Sequence, residues 1–159
     1  MRLMFTLLAA VACGFGLYHW QFADFDLSGT RWHCSSTKAS FTSKAYQGYS
    51  SIEELTTMYF PTNGSVLYYQ SGVLNHKSGL VEPFELVLSA RNKIVGQRIE
   101  QKFMTVDWNL IPKSSPVFVR DKNSLADFEL DLGFYVDGDK LFFFNPKGAE
   151  DLNIACHQI

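Results

Sequence analysis

The strongest constraint on the fold is a hairpin pattern in the stretch SIEELTTMYFPTNGSVLYYQSGVL. Residues 52–60 are predicted to form one arm and residues 66–74 the other. Asn63-Gly64 lies between the arms and is expected to supply the positive φ that a tight turn needs. The sequence therefore predicts two antiparallel strands joined by a short turn.

Further strand segments lie before and after this hairpin, separated by turn residues. Turns are expected at NHKSG, at Asn92-Lys93 and at Asp137-Gly138. Pro83 should lie at a sheet edge or a bulge, because it lacks a backbone donor. The additional strands are predicted over residues 30–40, 80–92, 94–108, 128–136, 140–145 and 152–156.

The region from residue 30 onward therefore has a mainly β pattern without a long amphipathic helix. Ser124 followed by Asp127 resembles a helix cap, so one short helix over residues 125–130 is an alternative for that segment. Six to eight antiparallel strands at short intervals predict a sheet that curls into a lipocalin-like barrel. The pattern does not decide whether the barrel is complete, and an incomplete one would leave an edge that recruits another chain.

The first 22 residues form a different kind of segment. Arg2 is followed by an apolar run that begins at Leu3, and a helix from Leu3 to Phe22 would extend about 30 Å, enough to span the hydrocarbon core. Trp20 and Phe22 fall where interfacial aromatic residues occur, and Arg2 favours a cytoplasmic N-terminus. We predict a single-pass anchor over residues 1–22, a connector over residues 23–29 and an exported β domain over residues 30–159.

Two other interpretations of the N-terminal segment stay open. Ala10-Val11-Ala12 fits the small-residue pattern of a signal-peptide cleavage site. Cys13 would be the modified residue of a lipoprotein signal. All three interpretations export residues 24–159.

Two cysteines, Cys34 and Cys156, lie in the exported part, and in an oxidising compartment they most simply pair. The predicted disulfide closes a loop of about 120 residues, for which the chain-entropy model gives a stabilisation of about 4–5 kcal/mol. His33 and His157 would complete a set of four zinc ligands. Neighbouring side chains on a strand point to opposite faces, however, and no C-x-x-C is present, so we predict no metal site.

Composition and motifs argue against several functions. The net charge is −2 and no lysine or arginine run occurs, which disfavours direct binding of nucleic acid. The motifs G-x-S-x-G and H-E-x-x-H and a phosphate-binding glycine loop are missing from the sequence. His76 is expected to be solvated in a turn, and Glu53-Glu54 to lie on an exposed face. We therefore predict neither an enzyme nor a cofactor.

The aromatic residues, which make up 15% of the chain, are the candidate binding residues. They either fill the core of a small sheet protein or line a pocket for a steroid or lipid. Tyr68-Tyr69 and Phe142-Phe143-Phe144 place aromatic rings on both faces of their strands, so one face should expose apolar surface of the kind that marks an interface. The candidate ligand-facing or partner-facing residues are Phe60, Tyr68, Phe84, Phe103, Trp108, Phe134 and Phe142.

A resemblance to a known family is carried by a sparse set of positions. The cysteine in RWHCSS is followed by YFPTNGSVLYYQSGVL, by an isolated Trp108, by SPVFVRDKNSLADFELDLGFYV and by a terminal cysteine in LNIACHQ. With its short N-terminal anchor, this layout resembles the FidL-like inner-membrane proteins of enteric bacteria over most of residues 1–157. It is more distantly similar to ToxS and VtrC, the small periplasmic partners of ToxR-type membrane-bound transcription regulators.

The resemblance implies a non-enzymatic accessory protein of the bacterial inner membrane with a periplasmic β domain. That domain would associate with the periplasmic domain of a membrane-bound transcription regulator and modulate it. In the VtrC-like case the joint barrel binds bile salts, so a bile salt or lipid is an expected ligand. Arg91 and Arg98 are both candidates for the family's basic residue after the second hairpin. The alternatives are a stand-alone anchored carrier of a hydrophobic small molecule and a hydrolase.

Overall fold

The structure is a computed structural model that describes residues 26–146 and 154–159. The predicted anchor over residues 1–22, the start of the connector and Cys13 lie outside the described residues. Within the described ranges, no helix is both long and apolar enough to cross a membrane.

Eight antiparallel strands form a closed barrel in which each strand pairs with its neighbours in the chain and the first pairs with the last. The mainly β, up-and-down barrel is therefore confirmed, and it closes within this chain instead of remaining an incomplete sheet. One helix, α1 (Pro116–Asn123), lies between the fifth and sixth strands, and a 3₁₀ turn, Lys44–Tyr46, lies between the first two. The strands are β1 (Arg31–Ala39), β2 (Tyr49–Thr62), β3 (Ser65–His76), β4 (Val81–Val95), β5 (Arg98–Leu110), β6 (Glu129–Asp137), β7 (Lys140–Phe144) and β8 (Ile154–Gln158).

The connections give the barrel two different ends. Short turns join β2 to β3, β4 to β5 and β6 to β7 at one end, which we call the turn end. The opposite end, which we call the helix end, carries the longer connections, including α1. Strands β2 to β5 have 12–15 residues each, whereas β7 and β8 have five and pair near the turn end. Within the described ranges, residues 35–39 of β1 and 104–110 of β5 extend toward the helix end with one strand neighbour each.

The predicted hairpin of β2 and β3 is present, with Asn63 and Gly64 in its turn. The prediction of a positive φ in this turn is wrong, because neither Asn63 nor Gly64 adopts one. Side chains hold the turn instead. Thr62 Oγ1 accepts a hydrogen bond from the Gly64 N–H at 3.2 Å, and Asn63 Oδ1 accepts one from the Leu27 N–H at 2.8 Å.

The expected turn at Asn92-Lys93 is wrong, because β4 continues to Val95. The ladder continues since Asn92 lies opposite Gln101 and the Gln101 amide donates to Asn92 Oδ1 at 3.0 Å. The chain turns at Gly96, whose φ of 57° suits glycine. The turn at Asp137-Gly138 is confirmed, and Pro83 lies where β4 pairs with β3 alone, before the β5 pairing begins at Glu85.

The alternative of a short helix over residues 125–130 is wrong, because the helix lies earlier in the chain, at Pro116–Asn123. Proline at the first helical position has a suitable φ and leaves no donor unpaired. Ser124 caps the C-terminus of this helix, with its N–H donating to the Arg120 carbonyl at 2.9 Å. The segment that follows enters β6 at Glu129, close to the expected start at residue 128.

The core consists of the inward-facing residues of all eight strands, which alternate with exposed ones. Leu27, in the predicted connector, is fully buried at the turn end, and the nearby Gly29 N–H donates to the Phe60 carbonyl at 2.7 Å. Cys34 and Cys156 form the predicted disulfide between β1 and β8. The fully buried large side chains include Trp32, Phe60, Leu74, Phe84, Ile99, Phe134 and Leu141.

Candidate functional site

A cavity of about 180 Å³ lies inside the barrel. It is lined by residues of all eight strands and by Leu125, which follows α1, and it opens to the surface beside the exposed Ile154. One wall of the cavity is apolar, and a ligand there would contact hydrocarbon and aromatic groups. This wall includes Met58, Leu88, Phe103, Leu130, Leu132 and Phe143.

The opposite wall carries two sets of polar side chains, the first of which is a relay of hydrogen bonds. The Tyr68 hydroxyl donates to Gln101 Oε1 at 2.7 Å, and Gln101 in turn donates to Asn92. Burial raises the pKa of Tyr68, although the hydrogen bond to Gln101 partly opposes this, so the phenol stays protonated in the physiological range. Tyr68 therefore presents a neutral hydroxyl whose oxygen can still accept a hydrogen bond.

The second polar set is centred on Glu54, which faces the barrel interior from β2. Lys122, from α1, donates to Glu54 Oε2 at 2.6 Å and to Gln70 Oε1 at 2.9 Å. Gln70 donates to Glu54 Oε1 at 3.1 Å and to Thr56 Oγ1 at 3.3 Å. The Lys122 and Glu54 side chains are only 15% and 20% exposed, so this is a largely buried and mutually neutralised ion pair.

A groove of about 420 Å³ lies beside the cavity, between α1 and strands β1 and β2. Ser36, Glu54 and Leu125 line both spaces and mark the boundary between them. The Tyr46 hydroxyl donates to Asp121 Oδ2 at 2.8 Å across the groove. Burial and this hydrogen bond raise the pKa of Tyr46.

Helix α1 is held against the barrel by one buried aromatic residue. The Phe118 ring lies 4.8 Å from that of Phe84 and 6.4 Å from that of Trp108, measured between centroids. The Trp108 indole N–H donates to Asn123 Oδ1 at 2.7 Å. These contacts fix the face of α1 that directs Lys122 toward Glu54.

A buried polar cluster fastens the segment before α1 to the barrel. Glu82 Oε2 accepts a hydrogen bond from the Ser115 hydroxyl at 2.6 Å and lies 3.1 Å from His76 Nε2, and Glu82 Oε1 accepts one from the Ser114 N–H at 2.7 Å. Burial raises the pKa of Glu82, but the hydrogen bonds from Ser115, Ser114 and His76 outweigh it and lower the pKa overall. His76 also packs against Tyr49, so the expectation that it is solvated is wrong.

The seven aromatic candidates occupy different environments. Tyr68 and Phe103 line the cavity, with their ring centroids 5.6 Å apart. Trp108 contacts α1, and Phe142 lies on the outer surface, where its ring stacks on Tyr135 at 4.7 Å. The remaining three are fully buried core residues, namely Phe60, Phe84 and Phe134.

The polar wall of the cavity was not predicted from the sequence. Glu54 was expected to be exposed, but it follows the same inward phase as Ile52 and Met58 in β2. This alternation of inward-facing and outward-facing residues was the sequence signal that could have placed Glu54 in the barrel interior. Gln70 has the same relation to the inward-facing Tyr68 in β3, whereas Lys122 had no such signal because α1 was not predicted.

An aromatic patch covers the outer face of β6 and β7. Tyr135 is 44% exposed and Phe144 is 37% exposed, with their ring centroids 6.3 Å apart. The Phe144 ring lies over Gly133, in the space that a Cβ there would occupy. This patch is formed by Tyr135, Phe142 and Phe144.

Comparison of the sequence with protein-family models gives no match. Comparison with curated proteins gives no significant match either.

Proposed function

We propose that this chain is a non-enzymatic binding protein whose barrel interior holds a hydrophobic or amphipathic small molecule. The observation that carries the proposal is the cavity of about 180 Å³ with an apolar wall facing a polar one. Small-molecule sites in proteins are concave and mostly apolar, with a few polar groups that orient the ligand. Up-and-down barrels commonly use their interior in this way.

The non-enzymatic part of the proposal is supported by the Glu82 cluster. Ser115 is fully buried, and its hydroxyl donates to a carboxylate, which leaves no path for it to attack a substrate. The cluster joins the segment before α1 to β4, so anchoring that segment is a sufficient role for it.

In this proposal the barrel works in the periplasm, tethered to a bacterial inner membrane by residues 1–22. The disulfide between Cys34 and Cys156 supports an oxidising compartment, because cytosolic thiols are kept reduced. A stand-alone anchored carrier of a hydrophobic molecule needs nothing more than this arrangement.

A second candidate function is the accessory role implied by the family resemblance. The barrel would associate with the periplasmic domain of a membrane-bound, ToxR-like transcription regulator and modulate it, without contacting nucleic acid itself, and a ligand such as a bile salt or lipid would be sensed by the pair. Residues 104–110 of β5, which pair with β4 alone among the described residues, favour this role, because such an edge accepts extended segments of other chains. The aromatic patch at Tyr135, Phe142 and Phe144 offers a further contact surface. Tethering both proteins to one membrane raises their effective concentration.

The binding proposal is tested by filling the cavity. The purified full chain from its native membrane, extracted with organic solvent, should yield a bound compound that mass spectrometry detects. Leu88→Phe places extra volume in the cavity and should abolish the bound compound. Val87→Phe, at the neighbouring position on the other face of β4, is the matched control and should retain it. Equal ligand content in both variants contradicts the proposal.

The accessory role is tested separately by affinity capture of the full chain from solubilised inner membrane. A protein that combines a DNA-binding domain with a membrane helix should co-purify with the wild type. Phe144→Ser should weaken this capture, whereas Lys93→Ser, which changes an exposed residue on β4, should not. Capture that is the same for both variants excludes the aromatic patch as the contact surface.

A further inference from the structure

We infer that the ligand of this cavity is small and neutral: one aromatic ring or a short alkyl chain that carries a single hydroxyl or N–H donor. The inference rests on the proposed binding function and specifies the chemical class of its ligand. Three observations carry it: the size of the cavity, the charge balance at its polar wall and the hydrogen-bonding groups left available there.

The size of the cavity limits the ligand to about one ring. An apolar cavity of about 150 Å³ accommodates benzene, whereas sites for drug-sized molecules measure about 300–1,000 Å³. At about 180 Å³, this cavity holds a single ring with a small substituent. A four-ring steroid or a long acyl chain exceeds that volume and would leave much of its apolar surface outside the cavity, beside Ile154. The groove does not enlarge it freely, since Glu54 and Leu125 lie at the boundary and Lys122 holds Glu54 in place.

The charge balance of the polar wall excludes ionised ligands. Among the described residues, Glu54 is the one acidic residue that lines the cavity, and no basic residue of the described ranges lines it. The Glu54 carboxylate is already matched by Lys122 at 2.6 Å and by Gln70 at 3.1 Å. A carboxylate ligand would therefore meet Glu54 rather than a free cation, and an ammonium ligand would have to compete with Lys122. In either case an incompletely compensated charge is buried, which is costly.

The hydrogen-bonding groups on the polar wall favour a ligand that carries a hydrogen-bond donor. The Tyr68 hydroxyl uses its proton on Gln101, so its oxygen is left as an acceptor. Thr56 Oγ1 accepts from Gln70 and retains a second lone pair. Both oxygens belong to residues that line the cavity, opposite the apolar wall. A phenol, benzyl alcohol or indole satisfies these constraints with its ring on the apolar wall and its O–H or N–H directed at Tyr68 or Thr56.

Methionine-methyl NMR of the purified full chain tests the inference, because two methionines report on different surfaces. Met58 lines the cavity and is 3% exposed, whereas Met104 is 36% exposed on β5 and serves as an internal reference. Benzyl alcohol and indole should shift the Met58 signal and leave the Met104 signal in place. Benzoate, benzylammonium and deoxycholate should require at least about 100-fold higher concentration for the same shift, because of their charge or volume.

A charge-selectivity variant makes the test sharper. Glu54→Gln leaves Lys122 without its carboxylate, so affinity for benzoate should rise by at least about 10-fold while that for benzyl alcohol changes by less than about 3-fold. Glu53→Gln, at the neighbouring outward-facing position, is the matched control and should leave both affinities unchanged.

The failures of the inference and of the proposed function are distinguishable. If deoxycholate or benzoate shifts Met58 in the wild type as readily as benzyl alcohol does, the ligand class is wrong but the binding function stands. The same holds if Glu54→Gln leaves the selectivity unchanged. If no compound of any class shifts Met58, the cavity does not bind small molecules and the proposed function fails with the inference.

Discussion

Cys34 and Cys156 lie directly opposite each other in the pairing of β1 with β8, and their disulfide crosses the seam at which the barrel closes. Among the described residues, three residue pairs join these strands, whereas nine join β1 to β2. The covalent bond therefore reinforces the shorter of the two described ladders of β1.

Replacing both residues, Cys34→Ala with Cys156→Ala, should lower the free energy of unfolding by about 4 kcal/mol, because the bond restricts a long loop in the unfolded chain. Urea denaturation of the full chain measures the change. Cys13→Ala is the control and should leave the midpoint unchanged. A double variant that unfolds at the wild-type urea concentration would show that the disulfide contributes nothing.

The Glu82 cluster should make stability depend on acid pH. Because hydrogen bonds lower the pKa of Glu82 in the folded state, its contribution to stability is present above the unfolded value of about 4.3 and is lost as pH falls through the lower folded value. Glu82→Gln should cost about 1–3 kcal/mol at pH 7. The difference from wild type should shrink below about pH 4, as followed by denaturant titration at several pH values.

Glu85→Gln is the control for that experiment, since Glu85 is exposed three residues further along β4. It should have little effect at any pH. A Glu82→Gln deficit that stays constant from pH 7 to pH 3 would contradict the proposed role of the ionised carboxylate.

Gly72 should tolerate no side chain. A Cβ at this position would overlap the Glu53 carbonyl oxygen and lie 2.8 Å from the Phe84 ring. Gly72→Ala should therefore destabilise the barrel by about 1–3 kcal/mol, by the cost of overpacking. Gly48→Ala, which meets no atom within 4 Å, is the matched control. Equal thermal midpoints for the two variants would show that the backbone near Gly72 adjusts freely.

Phe118 should account for most of the attachment of α1. Phe118→Ala removes the ring between Phe84 and Trp108 and should cost about 3–5 kcal/mol. Val119→Ala, at the next and more exposed position, should cost less than about 1 kcal/mol. Denaturation curves give both values, and a small loss for Phe118→Ala would mean that polar contacts hold the helix.

The sequence was sufficient for the features that depend on local pattern. The β2–β3 hairpin, the Asp137-Gly138 turn and the strand alternation follow from side-chain period and turn residues. The disulfide followed from cysteine placement, and the structure adds that Cys34 and Cys156 are register partners.

The features that the sequence did not predict depend on partners far away in the chain. The predicted disulfide brings β1 close to β8, but the sequence does not specify that the two backbones pair and close the barrel. Lys122 is an ordinary surface cation by pattern, and only the docking of α1 brings it to Glu54. Glu54 and Gln70 of the polar wall had a local signal in the strand alternation, whereas their contacts with Lys122 depend on the docking of α1.

The ladders between neighbouring strands differ in length, and this difference determines which part of the barrel opens most easily. Strands β2 to β5 form a continuous sheet of long ladders, whereas within the described residues β5 meets β6 through five pairs, β7 meets β8 through four and β1 meets β8 through three. Amide protons of β6 to β8 should exchange with solvent faster than those of β2 to β5, through partial openings that leave the long ladders intact. Such openings would let a ligand enter and leave the cavity while most of the protein stays folded. The residence time of the ligand would then be set by local opening of the short strands and not by global unfolding.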